Sequence, residues 1–516
     1  MTSGSQHVYL GVDIGTSGCR TIAVDSSGAT LATADQQYPL FTPAPGWVEQ
    51  DPHHWIEGAL ATISQVCASG AFDPAHLRGI GVDGQSWACV PVSEDRQVLA
   101  NTPIWMDTRS QSICDELHES GASDGNFALS GNRLSPTYTT AKALWFQRHR
   151  PEVYARARWF LQCNSVIVMA LTGAITQDHS QGYGWHCIDV ATGAIDYTAA
   201  QRLGIDASRI PNAVESTAVA GAITEAAAAR TGVPVGTPVV AGGLDAACGT
   251  LGAGVFEPGQ TQEQGGQAGG MSIAVDAPIA DERLILSRHV VADRWLLQGG
   301  TVAGSASLAW LARVIGAAEQ QEANDAGHGL YEEISSQASK APRGSGGVIF
   351  LPYLSGERSP IWDADARGAF VGLHLGIDRS HLYRSVMEGT AMALRHNLEV
   401  AAAAGAKVAE LRAVGGATKS PVWMQIKADV TGIPLLVSAH DYATPLGAAM
   451  LAAIGVGDDT VTSLTQRWVQ HSRRYQPNPA ATADYDDYYR VYAGLYPALA
   501  NSMHSLADAS RPTQED

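Results

Sequence analysis

Val8-Tyr9-Leu10-Gly11-Val12 is a nearly continuous apolar run that gives way to a Gly-rich stretch, Asp13-Ile14-Gly15-Thr16-Ser17-Gly18, before residues 20–25 return to apolar character. This pattern predicts strand, tight turn and strand, and Ser26-Ser27-Gly28 then turns the chain into a third strand. The chain opens as a β-meander. From Asp51-Pro52 the period changes: residues 54–66 carry apolar side chains at helical spacing, with Asp51 placed to cap and Pro52 at the first helical position. Strands are expected again at 79–83, 239–241, 348–351 and 411–414, separated by Ala-rich helical stretches such as 225–231 and 382–404. Such alternation implies an α/β architecture with sheets covered by helices. Residues 335–347 are expected to be an exposed loop, and 508–516 a polar tail.

Length then sets the domain count. At 516 residues the chain exceeds the roughly 250–300 at which one core stops growing, so at least two domains are expected. A shift to Gly, Pro and Gln over 252–264 places the boundary there, giving domains 1–255 and 256–516. Two Gly-rich turns, one opening each half, suggest a duplicated domain. Charge narrows the partners: 33 Lys+Arg against 51 Asp+Glu give −18, which argues against a nucleic-acid or anionic-membrane surface. The seven cysteines are scattered and odd in number, and none form a CxxC pair, so they read as reduced thiols in the cytoplasm. Residues 1–7 have no basic region and are not read as a signal peptide.

Several motifs can be set aside. Gly415-Gly416-Ala417-Thr418-Lys419-Ser420 is not a P-loop, because Thr418 and Ala413 stand where Walker A requires glycine. Gly84-Gln85-Ser86-Trp87-Ala88 is not a nucleophile elbow, because strand-like sequence follows the serine where a helix is needed. No His, Cys or acidic cluster has metal-ligand spacing. Two acids remain. Asp13 heads a turn whose amides and hydroxyls could cradle an anion while the carboxylate holds Mg²⁺, although an ordinary hairpin has the same composition. Asp245 follows a buried strand in apolar surroundings, where it could cap a helix, act as a base, or do both.

In this order the blocks resemble the FGGY carbohydrate kinases, most closely the xylulokinase-like branch. The strongest match is Gly368-Ala369-Phe370-Val371-Gly372-Leu373, seven residues, then His381-Leu382-Tyr383-Arg384-Ser385-Val386-Met387-Glu388. The block from Leu351-Pro352-Tyr353 to Ser359-Pro360 and the Gly415-Gly416-Ala417 turn also match, and Lys142-Ala143-Leu144-Trp145 keeps the Lys and Trp of the amino-terminal signature. The resemblance implies two actin-like (ribonuclease H-like) domains, with a nucleotide- and sugar-binding cleft between them, and ATP-dependent phosphorylation of a sugar hydroxyl. D-xylulose is the first acceptor it suggests; another ketose, a polyol or a sugar acid is the alternative. A non-catalytic regulator or a phosphoester hydrolase on this fold fits the acids and the sugar block less well.

By the same resemblance Asp245 is the general base, Asp13 the Mg²⁺ ligand, and Gly15, Thr16, Ser17 and Arg20 contact the transferring phosphate. Gly266 and Gln267 lie in a second phosphate turn, and Gly415, Gly416 and Ala417 form the adenosine wall. Gln85, Ser86, Trp87, Asp107, Arg109 and Asp245 would line the sugar. A sugar and MgATP are thus the implied partners, with no nucleic acid and no membrane; a homodimer is the assembly considered. Three positions depart from the branch. Trp87 replaces its sugar-contacting His, Ala246 replaces its Asn, and Gly266-Gln267-Ala268-Gly269 replaces a hydroxyl-bearing turn.

Overall fold

The computed structural model describes residues 7–440 and 442–510, so the segment before His7 and the last six residues of the expected tail lie outside it. The described chain forms two units. The first holds residues up to Phe256 together with Ala274–Leu296 and Tyr442–Gln470; the second holds Glu257–Ile273, Leu297–Asp441 and His471 onward. The chain therefore leaves the first unit beside the expected boundary, but returns to it twice, which a single cut at 255/256 does not describe.

In the first unit β1 (Val8–Ile14), β2 (Gly18–Asp25) and β3 (Thr30–Gln37) form the expected antiparallel meander. Next come β4 (Leu77–Gly84), β5 (Val219–Ala222), β6 (Pro238–Val240) and the two-residue β7 (Gly243–Leu244). The sheet order is β5-β6-β4-β1-β2-β3, with β4 parallel to β1 and to β6, and β7 added on β4. Six of the seven residues of β1 are buried because both faces of the sheet are covered. Helix Pro52–Cys67 packs on one face, begun by Asp51 accepting from the His53 amide, and helix Ala443–Gly455 packs on β1 and β4. Glycines set the distance of that second helix. A Cβ on Gly11 would stand 1.8 Å from the Pro445 carbonyl oxygen, and one on Gly81 1.9 Å from that of Ala448. This docking is one reason the first unit reclaims Tyr442–Gln470.

In the second unit β8 (Gln260–Gly265) pairs antiparallel with β9 (Gly269–Val275), which is flanked by β10 (Trp295–Thr301). On its other side β8 runs parallel to β11 (Glu410–Val414), β11 parallel to β12 (Leu435–Ser438), and β13 (His471–Tyr475) closes the edge antiparallel. The order β10-β9-β8-β11-β12-β13 repeats the first sheet: a central strand with a hairpin partner on one side and two parallel strands on the other. Both units are ribonuclease H-like.

Two expectations are corrected. Residues 330–340 are a helix, Leu330–Lys340, with Ile334, Ser335 and Ala338 buried at helical spacing, so the first six residues of the expected 335–347 loop are helical. The final helix, Pro479–Ala509, runs through Asp508, so the tail begins later than expected.

Candidate active site

In the first unit the parallel strands end together, and the acids sit at those ends. Asp13, one residue before the end of β1, is paired with Asp83 on β4, and Asp83 in turn with Gly243 on β7. Asp245 follows β7 directly as the first residue of helix Asp245–Gly252. Leu244, not Asp245, holds the N-cap position, and no side chain caps this helix. The capping alternative is thereby removed. The Asp245 carboxylate accepts one hydrogen bond, 2.6 Å from the amide of Ala246. Burial, then the charge of Asp13, drive its pKa up to about 7 against the pull of that amide.

Asp83 was not anticipated. It is fully buried, and neither carboxylate oxygen has a donor from another group. Burial, followed by the charge of Asp13 on the neighbouring strand, raises its pKa well above the ordinary carboxylate value. Asp13 is also raised, by burial first, while Asp83 and Arg20 hold it down. Burial thus raises both acids of this pair, and the charge of Asp13 adds to the rise at Asp83. The available sequence signal was an acid at the carboxyl end of a buried strand, where open α/β sheets bind ligands.

The turn after Asp13 is braced from several directions. The Gly15 amide donates to the Gly18 carbonyl (3.0 Å), and the Tyr38 hydroxyl donates to the Gly15 carbonyl (2.5 Å). The Thr16 carbonyl accepts from Gln50 (2.7 Å) and its hydroxyl from Trp105 (2.9 Å), while Ser17 is exposed. Arg20 faces Asp13 across the hairpin, pairs with Asp35 at 2.5 Å and lies 4.7 Å over the Tyr442 ring.

Gln85, Ser86 and Trp87 follow β4 at the same end. Trp87 has φ 57°, a left-handed conformation rare for a bulky residue, and Lys142 secures it by donating to its carbonyl at 2.8 Å. Its ring packs 4.3 Å from Tyr138 and 5.6 Å from Tyr183, whose hydroxyl donates to Ser86 at 3.3 Å. The indole Nε1 is buried without a partner. Asp107 and Arg109 are arranged differently. Arg109 donates to both oxygens of Asp107 (2.9 and 3.0 Å) and to Glu49 (2.9 Å), with its guanidinium 4.0 Å from the Trp47 ring and 4.8 Å from Trp145. Asp107 also accepts from the Val48 amide, so both residues are engaged within the protein.

In the second unit the two predicted nucleotide turns are neighbours. The Gly265–Gly269 turn joins β8 to β9, and the amides of Ser305 and Ala306, at the start of helix Ser305–Ile315, donate to the carbonyls of Gly266 (3.0 Å) and Gln267 (3.1 Å). Gly415 follows β11 with φ 92°, and a Cβ there would stand 2.9 Å from the Gly265 carbonyl carbon. Gly416 and Ala417 continue into helix Pro421–Thr431, capped by Ser420.

Known proteins bear on this arrangement. The model of the N-terminal domain of the FGGY family of carbohydrate kinases matches residues 8–252, and that of the C-terminal domain matches 274–456. Xylulose kinase of Bacillus subtilis is 28% identical over 490 residues, 94% of this chain and 96% of the relative. The solved xylulose kinase from Rhodospirillum rubrum superposes with TM-score 0.89 at 32% identity, covering 96% of this chain and all of its own. Gluconate kinase from Lactobacillus acidophilus superposes at TM-score 0.88 and 25% identity, over 97% of this chain and all of its own. With both domain models matched over most of its length, and with both units built as this fold requires, the chain belongs to the FGGY family of carbohydrate kinases.

Proposed function

We propose that this protein transfers the γ-phosphoryl group of MgATP to a hydroxyl of a ketose, with D-xylulose the first acceptor, and that it does so in the cytoplasm. Family membership supports the reaction class; the observation that carries the mechanism is Asp245. A general base works best with a pKa near the operating pH, and this carboxylate is held near 7 with most of its acceptor capacity free. In the proposed step the Asp245 carboxylate takes the proton of the acceptor hydroxyl as that oxygen attacks phosphorus, and ADP leaves. Most of the remaining work is positioning and charge.

The residues at the first turn fit a hard cation. Their donors are all oxygens, and the partly exposed Arg20 is a cation whose charge acts on the Asp13 carboxyl. Among the described residues no three His, Cys, Asp or Glu side chains form a metal cage. Mg²⁺ does not require one, since it binds through one or two carboxylates with waters and substrate phosphates. Asp13 would hold it, and when bound it would neutralise charge on the transferring phosphate. Gly15, Thr16, Ser17 and Arg20 are proposed to contact that phosphate, the backbone at Gly266 and Gln267 the remaining phosphates, and Gly415 to Ala417 the nucleoside.

Gln85, Ser86 and Trp87, with Tyr138 and Tyr183, are proposed as the acceptor wall. An indole offers one N–H and a flat apolar face, which suits the C–H face of a sugar. Trp87 for His and Ala246 for Asn favour a second reading, a kinase with another or a broader acceptor range. ADP formation across ketoses, polyols and sugar acids tests both. Turnover with none would overturn the kinase reading, and strict D-xylulose preference would overturn the second.

A further inference from the structure

The three segments of the candidate site in the first unit are joined by one buried polar chain that no sequence motif marks. Its centre is Asp178, fully buried, which accepts from the Ser180 hydroxyl, from the Gln181 amide at 3.1 Å and from Asn164 Nδ2 at 2.9 Å. Two arms leave this centre. Ser180 Oγ accepts from the Leu244 amide at 2.9 Å, the residue immediately before Asp245, and Asn164 supports the same segment by donating to the Ala241 carbonyl at 3.1 Å. Gln181 Nε2 donates to the carbonyls of Gly84 at 3.0 Å and Gln85 at 3.3 Å, the peptides that lead into Ser86 and Trp87. Gln85 then donates to Gln50 at 2.8 Å, and Gln50 to the Thr16 carbonyl in the phosphate turn at 2.7 Å.

The side chains of Asp178, Ser180, Gln181, Asn164, Gln85 and Gln50 are each 1% exposed or less. A lost donor therefore cannot be replaced by bulk water, and its acceptors must shift or go unpaired. The arms end on backbone groups of β7 and of the loop after β4, so they set main-chain position. That is the support a precisely held constellation needs from its surroundings.

We propose that Ser180 and Gln181, held by Asp178, are positioning residues with separate duties: Ser180 sets the base Asp245, and Gln181 sets the acceptor wall Gln85 to Trp87. The inference rests on the roles proposed above for those residues, and it predicts a division that a general loss of stability would not produce. Breaking the Gln181 arm should loosen acceptor binding. Breaking the Ser180 arm should slow transfer from a normally bound acceptor.

The test uses the full chain and the best acceptor found for the wild type in the panel above. Rates are normalised to the stoichiometry of ATP binding, so that inactive protein does not count, and thermal melts are recorded alongside. Q181M keeps side-chain length without its donors. It should raise the acceptor KM by about tenfold while leaving the KM for ATP within about twofold. S180A should lower kcat by about tenfold with the acceptor KM within about twofold. Equal acceptor KM in Q181M and wild type, or parallel changes of kcat and KM in both variants, would overturn the proposal. If Q181M does not fold, S180A decides it: normal normalised kcat, or a KM that moves with kcat, would end the claim. Absence of any acceptor for the wild type would instead overturn the kinase reading, so the two failures are distinguishable.

Discussion

The two units share a strand order and a Gly-rich turn after the central strand, yet the turns are built from different chemistry. In the first unit the strand ends carry Asp13, Asp83 and Asp245, and the charge of Asp13 raises the pKa of both other acids. At the corresponding ends of the second sheet, Gly265 ends β8 and Gly415 follows β11, and the turn is held through its backbone by the start of helix Ser305–Ile315. One copy of the fold concentrates titratable charge; the other presents main chain. The same frame can thus place the proposed base and metal ligand in one unit and a turn of main chain in the other.

The largest expected effect comes from opposing the two turns. Asp13→Ala should reduce Mg²⁺-dependent turnover by about 10²-fold, because the metal loses its carboxylate, while nucleotide-free acceptor binding persists. Gln267→Ala should change the ATP KM by no more than about threefold, since its contribution is a carbonyl position already fixed by the Ala306 amide. Equal losses in the two variants would erase the distinction.

Glycine substitutions extend the comparison to stability. Gly81→Ala forces a methyl against the Ala448 carbonyl and should cost at least about 3 kcal/mol. Gly416→Ala, with no atom within 4 Å of the added carbon, should cost less than about 1 kcal/mol. Denaturant unfolding of the two variants measures both; a mild Gly81→Ala would contradict the close docking of helix Ala443–Gly455.

A smaller effect is expected at the acceptor wall. Trp87→Ala should raise the acceptor KM by about tenfold, more than it lowers kcat, as expected for the loss of one stacking face and one donor. A lower melting temperature with unchanged KM would make Trp87 core packing.

The smallest concerns pH and the sign of the Asp245 shift. Its pKa is about 7 when folded against 3.8 ordinarily, so between those values the folded chain holds a proton that the unfolded chain releases. Stability from this group is present at low pH and falls as pH rises through about 7. Asp245→Asn should therefore melt higher than wild type above pH 7, with the gap closing toward about pH 4. A gap independent of pH would contradict the shift.

What could be read from the amino-acid order was mostly what is local. The meander and the Asp51-Pro52 helix start are decided by adjacent residues, and Asp13 and Asp245 stand beside glycines at strand ends. Residues 335–340 were misread because Ser, Gln and Lys resemble a loop, while Ile334 and Ala338 bury the same face. Asp83 gains its meaning from Asp13 across a parallel pair, and Gln50 and Gln181 from carbonyls tens of residues away. The second return to the first unit, Tyr442–Gln470, draws on glycine contacts with helix Ala443–Gly455, which no local pattern marks. Asp107 and Arg109 match the family's sugar block by type, but the rings of Trp47 and Trp145 draw them into an internal pair.

The claim that Asp245 is the base of an ATP-dependent sugar kinase is tested most directly by acceptor-dependent ADP formation in wild type and Asp245→Asn, from about pH 5 to 9. The wild-type rate should rise through about pH 7, as the carboxylate loses its proton. The folded, ATP-binding variant should be lower by ~10²–10⁴-fold and lack that rise. A variant turning over its best acceptor near the wild-type rate, with the same pH profile, would contradict the account.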